Sequence, residues 1–258
     1  ADVRALSDRF GMGLEPSRPV GSLSVGEQQR VEILKVLYRN ASILILDEPT
    51  SVLAPVEVEE LFRVLRSLVA QGRTVVFVTH KLREVMAIAD RVTVMQRGRV
   101  VETVRTADTS IAALTRSMVG ETAGGQLLEV IQAVQGATPI PGVGSSRVDA
   151  EPAPVLHIDR LRVRSPQGLE LVRGISLELR PGEIVGIAGV QGNGQTELID
   201  AIAGLTPYDG EIRLAGVSID AHPPGSRLEA GIAHIPEDRH HRGLVLDFSI
   251  ADNLILGT

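Results

Sequence analysis

The sequence predicts an α/β fold, a parallel sheet covered by helices with antiparallel strands added. Three observations carry this. Two aliphatic runs, ILILD at 43–47 and TVVFVT at 74–79, flank a stretch of helical period, the strand–helix–strand rhythm of a buried parallel sheet. A third run, IVGIAG at 184–189, passes through a glycine-rich loop into another helical pattern. Strand signals at 155–163 and 175–179, with a small hairpin over 91–103, supply the antiparallel part.

The elements follow in chain order. Ser24 and Glu27 have the S-x-x-E spacing of a capping box, so a helix starts there with Val31, Leu34 and Tyr38 on its inner face. ILILD is a buried strand. Pro55 suits the first turn of the next helix; Val58, Leu61, Phe62, Leu65, Leu68 and Val69 recur at helical spacing, and Gly72 closes it. TVVFVT is the second buried strand, and Arg91–Met95 and Arg99–Thr103 flank a turn at Gly98. From Glu121 to Pro154 glycine, proline, serine and alanine dominate, interrupted by LLEVIQAV at 127–134; this reads as an interdomain linker with one short helix. Beyond it VLHIDRLRV, ISLEL and IVGIAG read as strands, Thr196 to Ala203 as a helix, EIRLAG and IAHIP as strands, and SIADNL as a helix start. The chain opens at Ala1 inside structured sequence, and the expectation is a piece of a longer protein.

The totals narrow the function. At 258 residues there is room for one large domain or two small ones. Hydrophobic content is 43% but aromatic content only 2%, so the cores are aliphatic. Scarce rings also argue against single-strand nucleic-acid binding, which uses stacking platforms. A net charge of −6 gives no global field for a polyanion, so any phosphate site is local. There is no cysteine, which excludes disulfides and thiolate metal sites. No apolar run reaches the length of a membrane span.

Four short segments carry chemistry. GVQGNGQT at 189–196 has the spacing of a phosphate loop, G-x-x-x-x-G-K-[ST], with Gln195 where the lysine belongs. Backbone N–H groups and the helix end still favour phosphate, Gly192 and Gly194 allow close approach, and Thr196 keeps a hydroxyl for Mg²⁺. A hydrogen bond to a charged group is worth roughly 1.5–3 kcal/mol, so losing the lysine weakens binding by about ten- to a hundredfold. The competing reading is a glycine-rich turn with no ligand. LSVGEQQR at 23–30 offers a capped helix end with Ser24 and Gly26 facing an anion, or simply a capped surface helix. In ILILDEPTS the adjacent Asp47 and Glu48 end a buried strand: one acid suits Mg²⁺ and the other polarises a water, or both are solvated acids. His80, in VTHKL, ends the next strand as a γ-phosphate contact or as a structural histidine.

Taken together, LSVGEQQR, ILILDEPTS and VTHKL, in this order, resemble the ATPase domain of ABC transporters, as its signature, Walker B with catalytic glutamate, and switch histidine. The longer runs LSVGEQQRVEILKVLYRNASILILDEPTSVLAP and THKLREVMAIADRVTVMQRGRVV look like the first half of tandem ATPase subunits from simple-sugar and nucleoside importers. GEIVGIAGVQGNGQTELIDAIAGL and IPEDRHHRGLV look like the start of the second ATPase domain. The resemblance implies two partial P-loop NTPase domains: 1–120 as the C-terminal half of the first, 121–154 as linker, and 155–258 as the N-terminal half of the second. It implies ATP and Mg²⁺ as cofactors, Glu48 and His80 in catalysis, and nucleotide contacts at Ser24, Gly26, Glu27, Gln28, Gly189, Gly192, Asn193, Gly194, Gln195, Thr196 and Glu197. Asp47, Thr196 and Glu237 are the implied Mg²⁺ ligands.

Two departures stand out. Ala54 replaces the usual D-loop aspartate, and Gln195 and Glu237 replace the phosphate-loop lysine and Q-loop glutamine, marks of a degenerate second site. The resemblance also implies head-to-tail pairing of the tandem domains. On that view the Gly189–Thr196 loop faces the Ser24–Gln28 signature in one site, while Asp47, Glu48 and His80 serve another whose loop is missing. This chain alone is then expected to be inactive, with an exposed sheet edge. The implied partners are membrane permease subunits and a substrate-binding protein, with no nucleic acid, and the implied place is the cytoplasmic face of a bacterial cell membrane. A soluble ABC ATPase acting elsewhere, or a non-catalytic nucleotide-binding module, are the competing readings. His240 and His241, beside Glu237 and Asp238, read as a polar loop rather than a metal site.

Overall fold

In the computed structural model, residues 3–119 and 152–256 are described. Helix α1 (Val3–Arg9) precedes α2 (Val25–Tyr38), which starts at the capping box read from the sequence: Ser24 Oγ accepts the Glu27 N–H, and Glu27 Oε2 accepts the Ser24 N–H. Val31 and Leu34 are fully buried beneath it. Strand β1 (Ile43–Asp47), helix α3 (Pro55–Ala70) and strand β2 (Thr74–Thr79) give the expected alternation, with both strands buried throughout. Short α4 (Leu82–Ile88) leads to the hairpin of β3 (Arg91–Gln96) and β4 (Arg99–Arg105), and α5 (Ile111–Val119) ends the first stretch.

The second stretch opens with β5 (Leu156–Arg164) and β6 (Glu170–Leu179), then β7 (Ile184–Gly189) and α6 (Gln195–Ile202). Strands β8 (Asp209–Leu214) and β9 (Val217–Ser218), helix α7 (Pro224–Glu229) and strand β10 (Ile232–Ile235) follow. Helices α8 (Arg239–Arg242) and α9 (Ile250–Ile255) close the described chain. The Ser249 side chain caps α9 by accepting the Asp252 N–H.

The strands form two sheets. One has six strands in the order β10-β1-β2-β7-β3-β4, parallel except for the β3–β4 hairpin. The other is antiparallel, in the order β6-β5-β8-β9. The α/β class and the mixture of parallel and antiparallel strands are therefore as the sequence predicts. Two aliphatic clusters cover the six-stranded sheet: Leu44, Leu46, Phe77 and Ala188 lie in one, Ile45, Val76, Val185 and Ile187 in the other. Alternate residues of each strand feed opposite faces.

One expectation is corrected. The first-half sheet does not stand open where a phosphate-loop strand is missing. β7 lies between β2 and β3, and β10 pairs with β1, so strands from both sides of residues 120–151 share one sheet. The physical reason is backbone satisfaction: β7 is apolar on both faces and pairs along both edges. The predicted linker at 121–154 and its short helix lie outside the described residues, apart from 152–154.

Candidate functional site

Parallel register decides what meets at the end of this sheet. Asp47 is level with Val78, Thr79 with Ala188, and Met95 with Gly189. The chain leaves β1, β2 and β7 at the same edge, which sets Asp47–Glu48, His80 and the Gly189–Thr196 loop side by side. Ligands of parallel α/β sheets gather at this carboxyl edge. The reading that split the loop from the acid–histidine pair is therefore corrected for this chain.

Glu48 and His80 form a pair. Glu48 Oε1 accepts the His80 backbone N–H at 3.0 Å and lies 2.8 Å from its Nδ1, while Thr79 Oγ1 donates to Oε2 at 3.4 Å. The Glu48 side chain is 14% exposed and that of His80 54%. The imidazole thus holds the carboxylate through Nδ1, and its Nε2 makes no hydrogen bond among the described residues. Glu48 has a φ of +43°, a strained value for a residue with a Cβ, of the kind found where position matters more than local stability.

Asp47 sits in a patch of negative charge. It is 4% exposed, and its carboxyl pKa is pushed up to about 7, first by burial and then by Glu237, Glu48 and Asp200, with Arg242 opposing. Such a carboxyl is poised for a cation, whose charge would reverse the balance. Thr196 is exposed, and its hydroxyl makes no hydrogen bond among the described residues. Asp200 and Arg242 were missed in the sequence reading; they pair at 2.8 Å. The available signal was helical spacing, since Asp200 lies four residues beyond Thr196 on α6, on the same face.

The loop is shaped by its protein neighbours. Asn193 is used structurally: its carbonyl accepts the Gly98 N–H and its side chain the Arg97 N–H, both at 2.9 Å, pinning the loop to the β3–β4 turn. Gly194 has a φ of +96°, and a Cβ there would stand 2.7 Å from the Leu171 carbonyl oxygen, so a side chain is excluded by both conformation and space. A Cβ at Gly192, in contrast, would meet nothing within 4 Å, so that side of the loop is open. Gln195 is 8% exposed and folds back, donating from Nε2 to the Val190 carbonyl at 3.3 Å. It occupies the space above Gly189, where a Cβ would overlap its Nε2. Glu197 follows on α6, half-buried.

The signature residues stand apart. Ser24 and Glu27 satisfy each other, and Arg18 adds an ion pair to Glu27 at 2.7 Å. The Ser24 backbone N–H and the Arg18 guanidinium hold the Glu27 carboxyl below its usual range. Gly26 packs against the Glu57 carboxylate, for a Cβ there would overlap Glu57 Oε1. Gln28 is buried, and its Oε1 lies 2.9 Å from His240 Nε2. Among the described residues no hydrogen bond or ion pair joins Ser24, Gly26, Glu27 or Gln28 to Glu48, His80 or the loop. Ala54 precedes α3, and its N–H donates to Glu57 at 2.9 Å. His241 lies 2.8 Å from Asp238, and no group of three or more His, Asp or Glu suited to a metal occurs among the described residues. Asp47 and the Thr196 hydroxyl are oxygen donors of the type that Mg²⁺ takes when phosphates complete its shell. No helix among the described residues is long and apolar enough to cross a membrane.

Comparison with known proteins bears on this geometry. A family model described as ABC transporter matches residues 1–51 and 172–252. The chain is 42% identical over 258 residues to the nucleoside import ATP-binding protein NupA of Lactococcus lactis subsp. cremoris, covering 99% of this chain and 47% of that protein. It is 45% identical over 256 residues to the guanosine import ATP-binding protein NupO of Bacillus subtilis, covering 99% and 47%. With the ribose import ATP-binding protein RbsA 3 of Rubrobacter xylanophilus it shares 42% over 258 residues, covering 100% and 48%. The chain thus spans about half the length of the curated relatives it matches.

Proposed function

Because this chain belongs to the ABC transporter ATP-binding family, we propose that it is part of the energy-coupling ATPase subunit of an importer for simple sugars or nucleosides. The observation that carries the reading is the shared sheet edge, which brings Asp47, the Glu48–His80 pair and the Gly189–Thr196 loop together. The relatives' names support the cargo class, and the absence of a spanning helix among the described residues agrees with a peripheral place beside a permease. Permease subunits on the cytoplasmic face, and a substrate-binding protein, complete the proposed system. In the intact subunit, residues 1–120 and 155–258 belong to successive ATPase domains.

The roles follow from the chemistry of the side chains. In this chain Thr196 and Asp47, with Glu237 nearby, would hold Mg²⁺, and the loop N–H groups would receive the phosphates of ATP; in the intact subunit Asp47 would serve with the phosphate loop of its own domain. Bound MgATP supplies a phosphoryl group activated toward water. Glu48 orients that water and accepts its proton. His80 fixes the Glu48 carboxylate through Nδ1 and keeps Nε2 for a γ-phosphate contact. Ser24, Gly26, Glu27 and Gln28 present a helix end to a nucleotide held on a facing domain. In the intact subunit Glu48→Gln abolishes steady phosphate release while leaving ATP binding in place; retained turnover would remove Glu48 from the proposed role.

A second reading is favoured by one observation, the inward fold of Gln195 onto the Val190 carbonyl in place of a phosphate-loop cation. On it the site binds nucleotide without turnover and regulates. Phosphate release measured with and without permease separates the two, because only the importer engine is stimulated by its permease.

A further inference from the structure

We propose that Lys81 and Glu84 are positioning residues for Glu48: through Thr50 they hold the turn that leaves β1, and so set the Glu48 carboxylate against His80. This role deepens the ATPase reading and rests on it, since it takes Glu48 as the base. Every group involved lies between residues 48 and 84, so none comes from the phosphate loop.

Glu48 needs such support. Its φ of +43° is one that a residue with a Cβ keeps only where its surroundings over-determine it. On the strand side the Glu48 N–H donates to the Val78 carbonyl at 3.0 Å and continues the ladder to β2. On the other side the chain turns. The Ser51 N–H donates to the Glu48 carbonyl at 3.2 Å and the Leu53 N–H to that of Thr50 at 3.3 Å. A turn tied only to itself would be free to swing about the strand end. Thr50 prevents this, because it is fully buried and is held from outside the turn.

The holder is the start of α4. Lys81 Nζ donates to the Thr50 carbonyl at 2.8 Å, and the Thr50 hydroxyl donates to Glu84 Oε2. Lys81 and Glu84 are themselves an ion pair, with Nζ 3.4 Å from Oε1. The Lys81 N–H donates to Thr79 Oγ1 at 3.0 Å, and Thr79 Oγ1 donates in turn to Glu48 Oε2 at 3.4 Å. These bonds close a circuit. It runs from the Glu48 side chain through Thr79 and Lys81 to Thr50, and back along the chain to Glu48. Burial pushes the Glu84 carboxyl above its usual range, the Thr50 hydroxyl and Lys81 pull it back, and Glu48 adds a further push upward. Glu84 thus depends on the same two partners that it helps to place. Among the described residues no hydrogen bond or ion pair joins Lys81 or Glu84 to Glu48 directly, so both act through the two threonines.

The first test uses the 258-residue chain and needs no nucleotide. Nitrogen NMR of the His80 imidazole, assigned by its loss in His80→Gln, reports whether Nδ1 is engaged by Glu48, which lies 2.8 Å away. Thr50→Val and Lys81→Met move this signal toward the one that Glu48→Ala gives. Thr50→Ser retains the hydroxyl and keeps the signal in place. An unchanged signal in both Thr50→Val and Lys81→Met, even with a lowered melting temperature, leaves the cluster a structural role only and overturns the proposal. Lys81 is partly exposed, so Lys81→Met decides if Thr50→Val does not fold. The second test uses the intact subunit. Lys81→Met lowers kcat for ATP by about ten- to a hundredfold with KM unchanged, and Thr50→Ser stays near normal. A raised KM with kcat unchanged counts against positioning of the base. A displaced His80 signal with full kcat and KM refutes the role of Glu48 in turnover and leaves the positioning standing.

Discussion

At the scale of single residues, Glu48 and His80 show how much a short motif can carry. Two adjacent acids at a strand end and a histidine after the next strand were visible in the sequence. Their 2.8 Å contact was not, because it needs the register that places Asp47 level with Val78. Asp200 and Arg242 escaped for a different reason: both lie inside quoted runs, GEIVGIAGVQGNGQTELIDAIAGL and IPEDRHHRGLV, but no motif position gives them a role, and they matter through the field they place on Asp47. His234 on β10 is another residue the sequence did not single out. Its buried Nε2 has no hydrogen-bond partner among the described residues, and burial lowers its pKa from 6.5 to about 4. Asp200 nearby opposes that shift and Arg242 adds to it. The unfolded chain takes up this proton near pH 6.5, but the folded chain only near pH 4. The stability due to a neutral His234 is thus complete above pH 6.5 and lost as pH falls to about 4. The slope approaches about 1.4 kcal/mol per pH unit. Urea unfolding across this window should show a shallower fall for His234→Leu than for the unchanged chain; parallel curves would exclude the effect.

At the scale of elements, legibility followed length and chemistry. α2 and α3 were readable because one starts at a capping box and the other has a Pro at its first turn and a sustained apolar period. The helices α4, α7 and α8 span seven, six and four residues, too few turns to print a period on the sequence. The signature segment poses the sharper question, since its capping role and its proposed nucleotide role use the same serine. Substitution can separate them. Ser24→Ala removes the capping acceptor and costs about 1 kcal/mol. Ser24→Asp keeps an acceptor at the helix start but adds a negative charge where a phosphate is proposed to arrive. The expected result in the intact subunit is near-normal stability for Ser24→Asp with ATP turnover sharply reduced. Full turnover in that variant would leave Ser24 with a capping role only.

At the scale of the whole molecule, the strand order is what the sequence did not reveal. Read along the chain, 1–120 and 155–258 look like separate partial domains, because local pattern assigns strands but not their neighbours. Phe77 and Gly186 are far apart along the chain yet level in one sheet. The missing phosphate-loop strand of the first stretch reads in sequence as an exposed edge, whereas β7 of the second stretch occupies it. The central claim is that Gln195 and the Asp47–Glu48–His80 group belong to one nucleotide site. Titration of MgATP into the 258-residue chain by calorimetry tests it directly. The account predicts a single binding phase that Gln195→Lys tightens by about ten- to a hundredfold and Asp47→Asn weakens. If Gln195→Lys changes affinity while Asp47→Asn leaves it untouched, the loop and the acids serve different sites and the account is contradicted.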